Sequence, residues 1–269
     1  MSKHPIFGAI VAFLLGFMGP LQAETPAPTA AASPAPTWQS AKAALDAAQA
    51  DVARSGSILG LESHAADLEQ ALAGADAATT AAKSGDTVTL LTDGGADTLA
   101  TLAGAATQGR KAVAVRNPYP LISLYLGSYY NEIGQPVDAD RVLAAGIALY
   151  EGHGGLGDTL PRLIGERGVA LGSLKRFDEA LAVYDQGIAL PEIRDPDKAR
   201  MLRGRGFVLT EMGRLDEAEA AYHESLKLDP NSEIAKGELD YIARLKAGGP
   251  KVPSSIATPG AAPGTAPKQ

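Results

Sequence analysis

The chain has 269 residues, a formal net charge of −7 and no cysteine. The absence of cysteine excludes disulfides, thiol catalysis and cysteine-ligated zinc. An acidic chain without a block of basic residues is also poorly suited to nucleic acid. Aromatic residues make up only 5% of the sequence, so we expect a core of small side chains, which suits closely packed helices.

Residues 1–23 have the layout of a secretory signal peptide. Lys3 provides a short basic region, the stretch from Ile6 to Met18 is apolar, and Ala23 offers a small residue for cleavage. The apolar stretch is shorter than the roughly 20 residues of a membrane span. We therefore predict an exported bacterial protein, periplasmic or secreted, that is cut after Ala23. An uncleaved N-terminal anchor is the alternative.

Two segments rich in Pro and Ala frame the rest of the chain. Residues 24–37 and residues 248–269 show no apolar period. We predict a disordered linker at the first and a disordered tail at the second, because neither can bury a core.

Residues 38–112 are predicted to form an N-terminal helical region followed by a connector. Apolar residues recur every three or four positions from Trp38 to Val52 and again from Ile58 to Leu72, and Gly56 separates the two runs. This spacing predicts two helices in an antiparallel hairpin. A worn repeat and a short coiled-coil seam are the other interpretations.

The connector combines weak helical and β-strand signals. Residues 75–84, rich in Ala and Thr, are predicted to be weakly structured. Residues 87–91 and 112–115 are β-prone and enclose a short helix that ends near Gly109, which leaves room for a two-stranded ribbon. A strand, turn and helix with glycines also suits phosphate binding, but neither a GxGxxG motif nor a Walker lysine is present.

Residues 113–247 contain three similar units and a final helix. The first unit reads Leu-Gly-x2-Tyr over residues 126–130, and the third has Gly213 at a turn, then Ala218, Tyr222 and Pro230. This order of residues resembles the tetratricopeptide repeat, a helix–turn–helix of about 34 residues that stacks into solenoids. The fold class that we predict is all-α, a helix–turn–helix repeat solenoid with an N-terminal helical hairpin and a short connector.

Small residues recur where the two helices of each unit should approach most closely. They are Gly127, Gly168 and Gly206 on the first helices, and Ala139, Ala180 and Ala218 on the second helices. The equivalent alanines lie 41 and 38 residues apart, so we expect extra residues in the loops between repeats. Ser232 is predicted to cap a last helix that covers the third repeat.

The resemblance implies a concave groove, lined by the first helices, that holds an extended peptide or a partner helix. The groove positions that it implies, carried over by alignment, are Leu121, Leu124, Ser128 and Asn131 in the first repeat, Arg162, Gly165, Val169 and Gly172 in the second, and Arg200, Arg203, Phe207 and Thr210 in the third.

Arg200 and Arg203 would place two guanidinium groups in this groove. Such groups suit a partner with an acidic side chain or a free C-terminal carboxylate. The alternative is that they pair with Glu166 and Glu211. The two-carboxylate clamp of chaperone-binding members of the family is matched by Arg200 alone.

Two further arginines depart from the family's pattern. Arg167 and Arg205 stand where the family has leucine. We expect a structural role for both, with packed stems and heads paired to neighbouring acids.

No pattern of residues points to catalysis, a cofactor or a metal. His64, His153 and His223 lack ligand spacing, and no nucleophile motif accompanies the serines. We predict a non-catalytic periplasmic scaffold or adaptor that binds a protein or peptide. It would meet the membrane only through its signal peptide before cleavage, and the Ala-rich hairpin leaves self-association open. The other hypothesis is a small-ligand or cell-wall-fragment binding protein that uses the connector and the groove arginines.

Overall fold

The structure is a computed structural model that describes residues 37–84, 87–92, 96–150 and 159–251. The predictions for the signal peptide, for nearly all of the linker and the tail, and for His153 lie outside these residues.

The described residues are mostly helical, as the fold class requires. In chain order the elements are α1 Trp38–Ser55, a 3₁₀ segment Ile58–His64, α2 Ala65–Ala73, α3 Ala75–Ser84, β1 Thr87–Thr92, α4 Ala96–Thr107, β2 Lys111–Arg116, α5 Tyr119–Glu132, α6 Pro136–Ala148, α7 Thr159–Ser173, α8 Phe177–Ile188, α9 Asp195–Glu211, α10 Leu215–Leu228 and α11 Glu233–Lys246. The prediction of an all-α repeat solenoid is confirmed.

The N-terminal hairpin forms, but its second arm begins as a 3₁₀ segment. Thr37 caps α1, accepting a hydrogen bond of 3.1 Å from the Ser40 amide, and Gly56 ends the helix with a left-handed φ of 66°. The 3₁₀ segment lies close against α1. A Cβ built on Gly60 would come within 2.9 Å of the Asp51 carbonyl oxygen.

The prediction that residues 75–84 are weakly structured is wrong. They form α3, with Ala75 and Ala78 buried in the main core. Alanine is the strongest helix former, and one buried alanine stripe is enough to hold the helix. The sequence pattern did not reveal the buried face of α3, because that face consists of alanines and contains no large apolar residue.

The two β-prone runs of the connector pair in parallel. Thr87 lies opposite Lys111, and the register continues to Thr92 and Arg116. Parallel strands need a crossover connection, and α4 provides it. Its Ala105 packs with Val88 and Leu90 in a small cluster separate from the main core.

The three repeats share one turn geometry. After each first helix the chain passes through a left-handed residue, which is Gly134, Lys175 and Gly213 in turn. The next amide then donates to a carbonyl five residues back, over 2.8 Å in the first repeat and 2.9 Å in the other two. The identical bond in each unit shows that the repeats are structurally equivalent.

The predicted close approach of the paired helices is confirmed. A Cβ built on Gly127, Gly168 or Gly206 would lie less than 3.0 Å from the facing side chain, which is Leu143, Tyr184 and Tyr222, respectively. Ala139, Ala180 and Ala218 are fully buried.

Both ends of the array are covered. At the C-terminal end, Ser232 caps α11 by accepting a hydrogen bond from the Ala235 amide, as predicted. At the N-terminal end, Glu69 of α2 accepts hydrogen bonds from the Tyr130 hydroxyl at 2.9 Å and from Arg141 at 2.6 Å. Burial, together with Glu69, raises the pKa of Tyr130 to about 12. The hairpin is therefore the N-terminal cap of the array.

Candidate functional site

The first helices of the repeats lie side by side. Helix α7 contacts both α5 and α9, while α6, α8 and α10 each pack against their own first helices. We call the outward surface of α5, α7 and α9 the groove, which includes Leu121, Ser128, Arg162, Val169, Arg200 and Phe207. Stacked repeats build extended surfaces of this kind for binding.

The predicted groove residues differ in accessibility. Arg162 and Arg200 are exposed, whereas Leu121, Ser128, Asn131, Val169, Arg203 and Phe207 are half-buried. Leu124 and Thr210 are each only 2% exposed, and Gly165 and Gly172 are buried as well. Leu124 and Thr210 cannot offer side chains to a partner because helix packing covers them, and the two glycines have none to offer.

A hydrogen-bonded chain of three side chains crosses the groove floor, one from each first helix. The Asn131 amide nitrogen donates to the Glu166 carbonyl oxygen and to its carboxylate, both at 3.0 Å. Arg200 donates to the other carboxylate oxygen of Glu166, whose side chain is 14% exposed. Glu166 therefore neutralises Arg200 and ties α5, α7 and α9 together. The sequence suggested Glu166 only as a partner of the groove arginines and gave no sign of its bond to Asn131.

Arg203 is also paired, but with neither of the two acids that the sequence suggested. Its Nη1 atom lies 3.1 Å from Asp229 Oδ2 at the end of α10. Glu211 instead contacts Lys251 at 3.2 Å. An acidic partner would have to compete with Glu166 and Asp229 for these two arginines, so their role in binding stays a prediction.

The two arginines that replace the family's leucine make the structural contacts expected of them. Arg205 lies 2.8 Å from Asp185, and Arg167 lies 2.7 Å from Asp140, which also binds Arg176. Burial opposes ionisation of Asp140, but the hydrogen bonds from Arg167 and Arg176 outweigh it and keep the pKa of this carboxyl below its ordinary value. These ion pairs join neighbouring helices.

The described ranges contain neither a cluster of metal-ligating side chains nor a helix that could span a membrane. Across the described ranges, no three His, Asp or Glu side chains come together as a metal site would need. The half-buried His64 contacts Asp51 at 2.9 Å, and His223 is exposed. None of the helices in the same ranges has the length and apolar character of a membrane span.

Comparison with known families supports one tetratricopeptide repeat in the chain. Residues 199–232 match the tetratricopeptide repeat family, and a comparison with curated proteins gives no match. Among solved structures, the first tetratricopeptide repeat domain of the human RPAP3 protein is 25% identical in sequence to this chain, with a TM-score of 0.42. The similarity covers 48% of this chain and 94% of that domain. The first repeat domain of Spaghetti (RPAP3) bound to the HSP90 peptide SRMEEVD has the same identity and coverage and a TM-score of 0.41.

The family match covers the third repeat, and the first two repeats share its turn bond and its close helix approach. Residues 199–232 therefore match one tetratricopeptide repeat, and the two preceding units resemble it in these two features.

Proposed function

We propose that this protein is a non-catalytic scaffold, exported to the periplasm of a bacterium, that holds a segment of a partner polypeptide in the groove. The observation that carries the proposal is the continuous surface of α5, α7 and α9, braced by the Asn131–Glu166–Arg200 chain. A braced surface loses little conformational freedom on binding, which favours affinity.

Arg162 is the charged side chain best placed to anchor a partner. It is exposed, and no described residue forms an ion pair with it. Three residues further along α7, a Cβ built on Gly165 would meet nothing within 4 Å, so there is open space beside the arginine. A guanidinium group next to open space suits an acidic side chain of the partner.

Charge reversal at Arg162 tests this role. The Arg162→Glu variant is expected to retain its partner at least about tenfold less well, because a tenfold change corresponds to about 1.4 kcal/mol, within the range of one charged anchor. The matched control is Lys227→Glu, which makes the same charge change on the exposed side of α10. Binding is measured by cross-linking in cells followed by quantitative pull-down.

Equal retention by Arg162→Glu and Lys227→Glu would contradict the proposal that the groove binds the partner. Arg200 and Arg203 are poorer test sites, since a glutamate there would face Glu166 or Asp229 and weaken the fold itself.

Export has its own test. In a bacterial host, we expect to find the protein in the periplasmic fraction. Its mass should be that of a chain that begins at Glu24, because cleavage is expected after Ala23. A full-length chain in the cytoplasm would contradict export without bearing on the groove.

A further inference from the structure

The chain turns back over the array after its last helix. Gly248 adopts a left-handed φ of 84° just beyond α11. Lys251 then reaches the last residue of α9, where its Nζ atom lies 3.2 Å from both a carboxylate oxygen and the carbonyl oxygen of Glu211. The last described residue therefore contacts the third repeat instead of pointing away from the array.

This contact lies at the edge of the groove. Glu211 is one helical turn after Phe207, so the two residues share a face of α9. The site attracts a cation because a second acid, Glu238 of α11, lies close by. Burial, together with the charge of Glu211, raises the pKa of Glu238. Lys251 places a positive charge beside these two acids.

The segment that follows Lys251 suits the groove in its chemistry. Residues 252–267 contain no charged residue, include Val252 and Ile256, and carry four prolines. Since Glu166 and Asp229 already neutralise Arg200 and Arg203, these two arginines require no opposite charge from an occupant. Val169 and Phe207 offer it partly exposed apolar surface, and proline-rich chains lose little entropy when they dock in an extended form.

The segment is also long enough. Neighbouring helices lie about 8–10 Å apart, so the three first helices span roughly 20 Å between their axes. The residues after Lys251 number 18 and reach up to about 60 Å when extended.

We infer that residues 252–269 dock in the groove of their own chain, with Lys251 on Glu211 as the anchor, and compete with the partner polypeptide. This inference rests on the proposed function, because it takes the groove to be the binding surface. The occupant is the chain's own tail, so the partner must displace it.

Disulfide trapping in the full chain tests the inference, because the natural sequence has no cysteine. One cysteine replaces Ala261 in the tail. The second replaces Val169 in the groove or, as the matched control, Ala182 on the exposed side of α8. Ala261 is ten residues beyond Lys251 and can reach about 33–36 Å, so an undocked tail would sample both faces. We call the cysteines at Ala261 and Val169 the groove pair and those at Ala261 and Ala182 the control pair. We expect the disulfide of the groove pair to form within one chain at least about tenfold faster than that of the control pair.

A Lys251→Glu substitution in the groove pair is expected to slow trapping several-fold, because it places a second carboxylate against Glu211. Equal trapping rates at Val169 and Ala182 would overturn the inference, and so would disulfides that join two chains. Neither result bears on the pull-down with Arg162→Glu, which tests partner binding separately.

Discussion

Replacing Tyr184 with alanine is expected to lower the free energy of unfolding by about 3–5 kcal/mol, the usual cost of removing a buried aromatic ring. The side chain is 3% exposed. Its ring lies against Gly168 of α7 and against Gly204 of α9, so one residue of α8 fills the contact between two repeats. The loss would be measured by urea denaturation followed by far-UV circular dichroism.

The control for Tyr184→Ala lies two residues further along the same helix. Gln186 is exposed, and Gln186→Ala should change the free energy of unfolding by no more than about 0.5 kcal/mol. Tyr184→Phe separates the ring from its hydroxyl and should retain most of the stability. If Tyr184→Ala were as stable as Gln186→Ala, the ring would not join the second and third repeats.

Gly168→Ala is expected to destabilise the protein by about 2 kcal/mol, although alanine is the better helix former by about 1 kcal/mol. The added methyl group would lie less than 3.0 Å from the ring of Tyr184, and the buried ring has little room to move. Overpacking of this kind costs typically 1–3 kcal/mol. The measurement is the same urea titration.

Gly237→Ala is the matched control, because a Cβ there would meet nothing within 4 Å. It should stabilise α11 by about 0.5–1 kcal/mol, so the two identical substitutions should differ in sign. In a Tyr184→Ala background the cost of Gly168→Ala should vanish. A stabilising Gly168→Ala would mean that close approach is not the reason for this glycine.

The repeats could be predicted from the sequence because their signals are local. Small residues, turns and the Ala-x3-Tyr spacing of Ala218 and Tyr222 all fall within one helix pair. One of these local signals is missing from the second repeat, because its left-handed turn residue is Lys175 instead of glycine.

What the sequence left open depends on contacts between distant residues. The parallel pairing of β1 and β2 joins residues 24 positions apart, such as Thr87 and Lys111. The sequence offers Glu166 and Glu211 as partners of Arg200 and Arg203, whereas the acid close to Arg203 is Asp229, 26 residues away. Spacing along one helix cannot reveal which carboxylate a neighbouring helix brings within reach.

The N-terminal cap is held by contacts of much longer range than those inside the repeats. Glu69 and Tyr130 are separated by 61 residues, with the whole β–α–β unit between them, while Glu166 and Arg200 are 34 residues apart. Closing a longer loop costs more chain entropy before any contact compensates for it, and contacts of long range slow folding. The repeats can therefore assemble progressively from neighbour to neighbour, whereas the cap must await a separate ring closure.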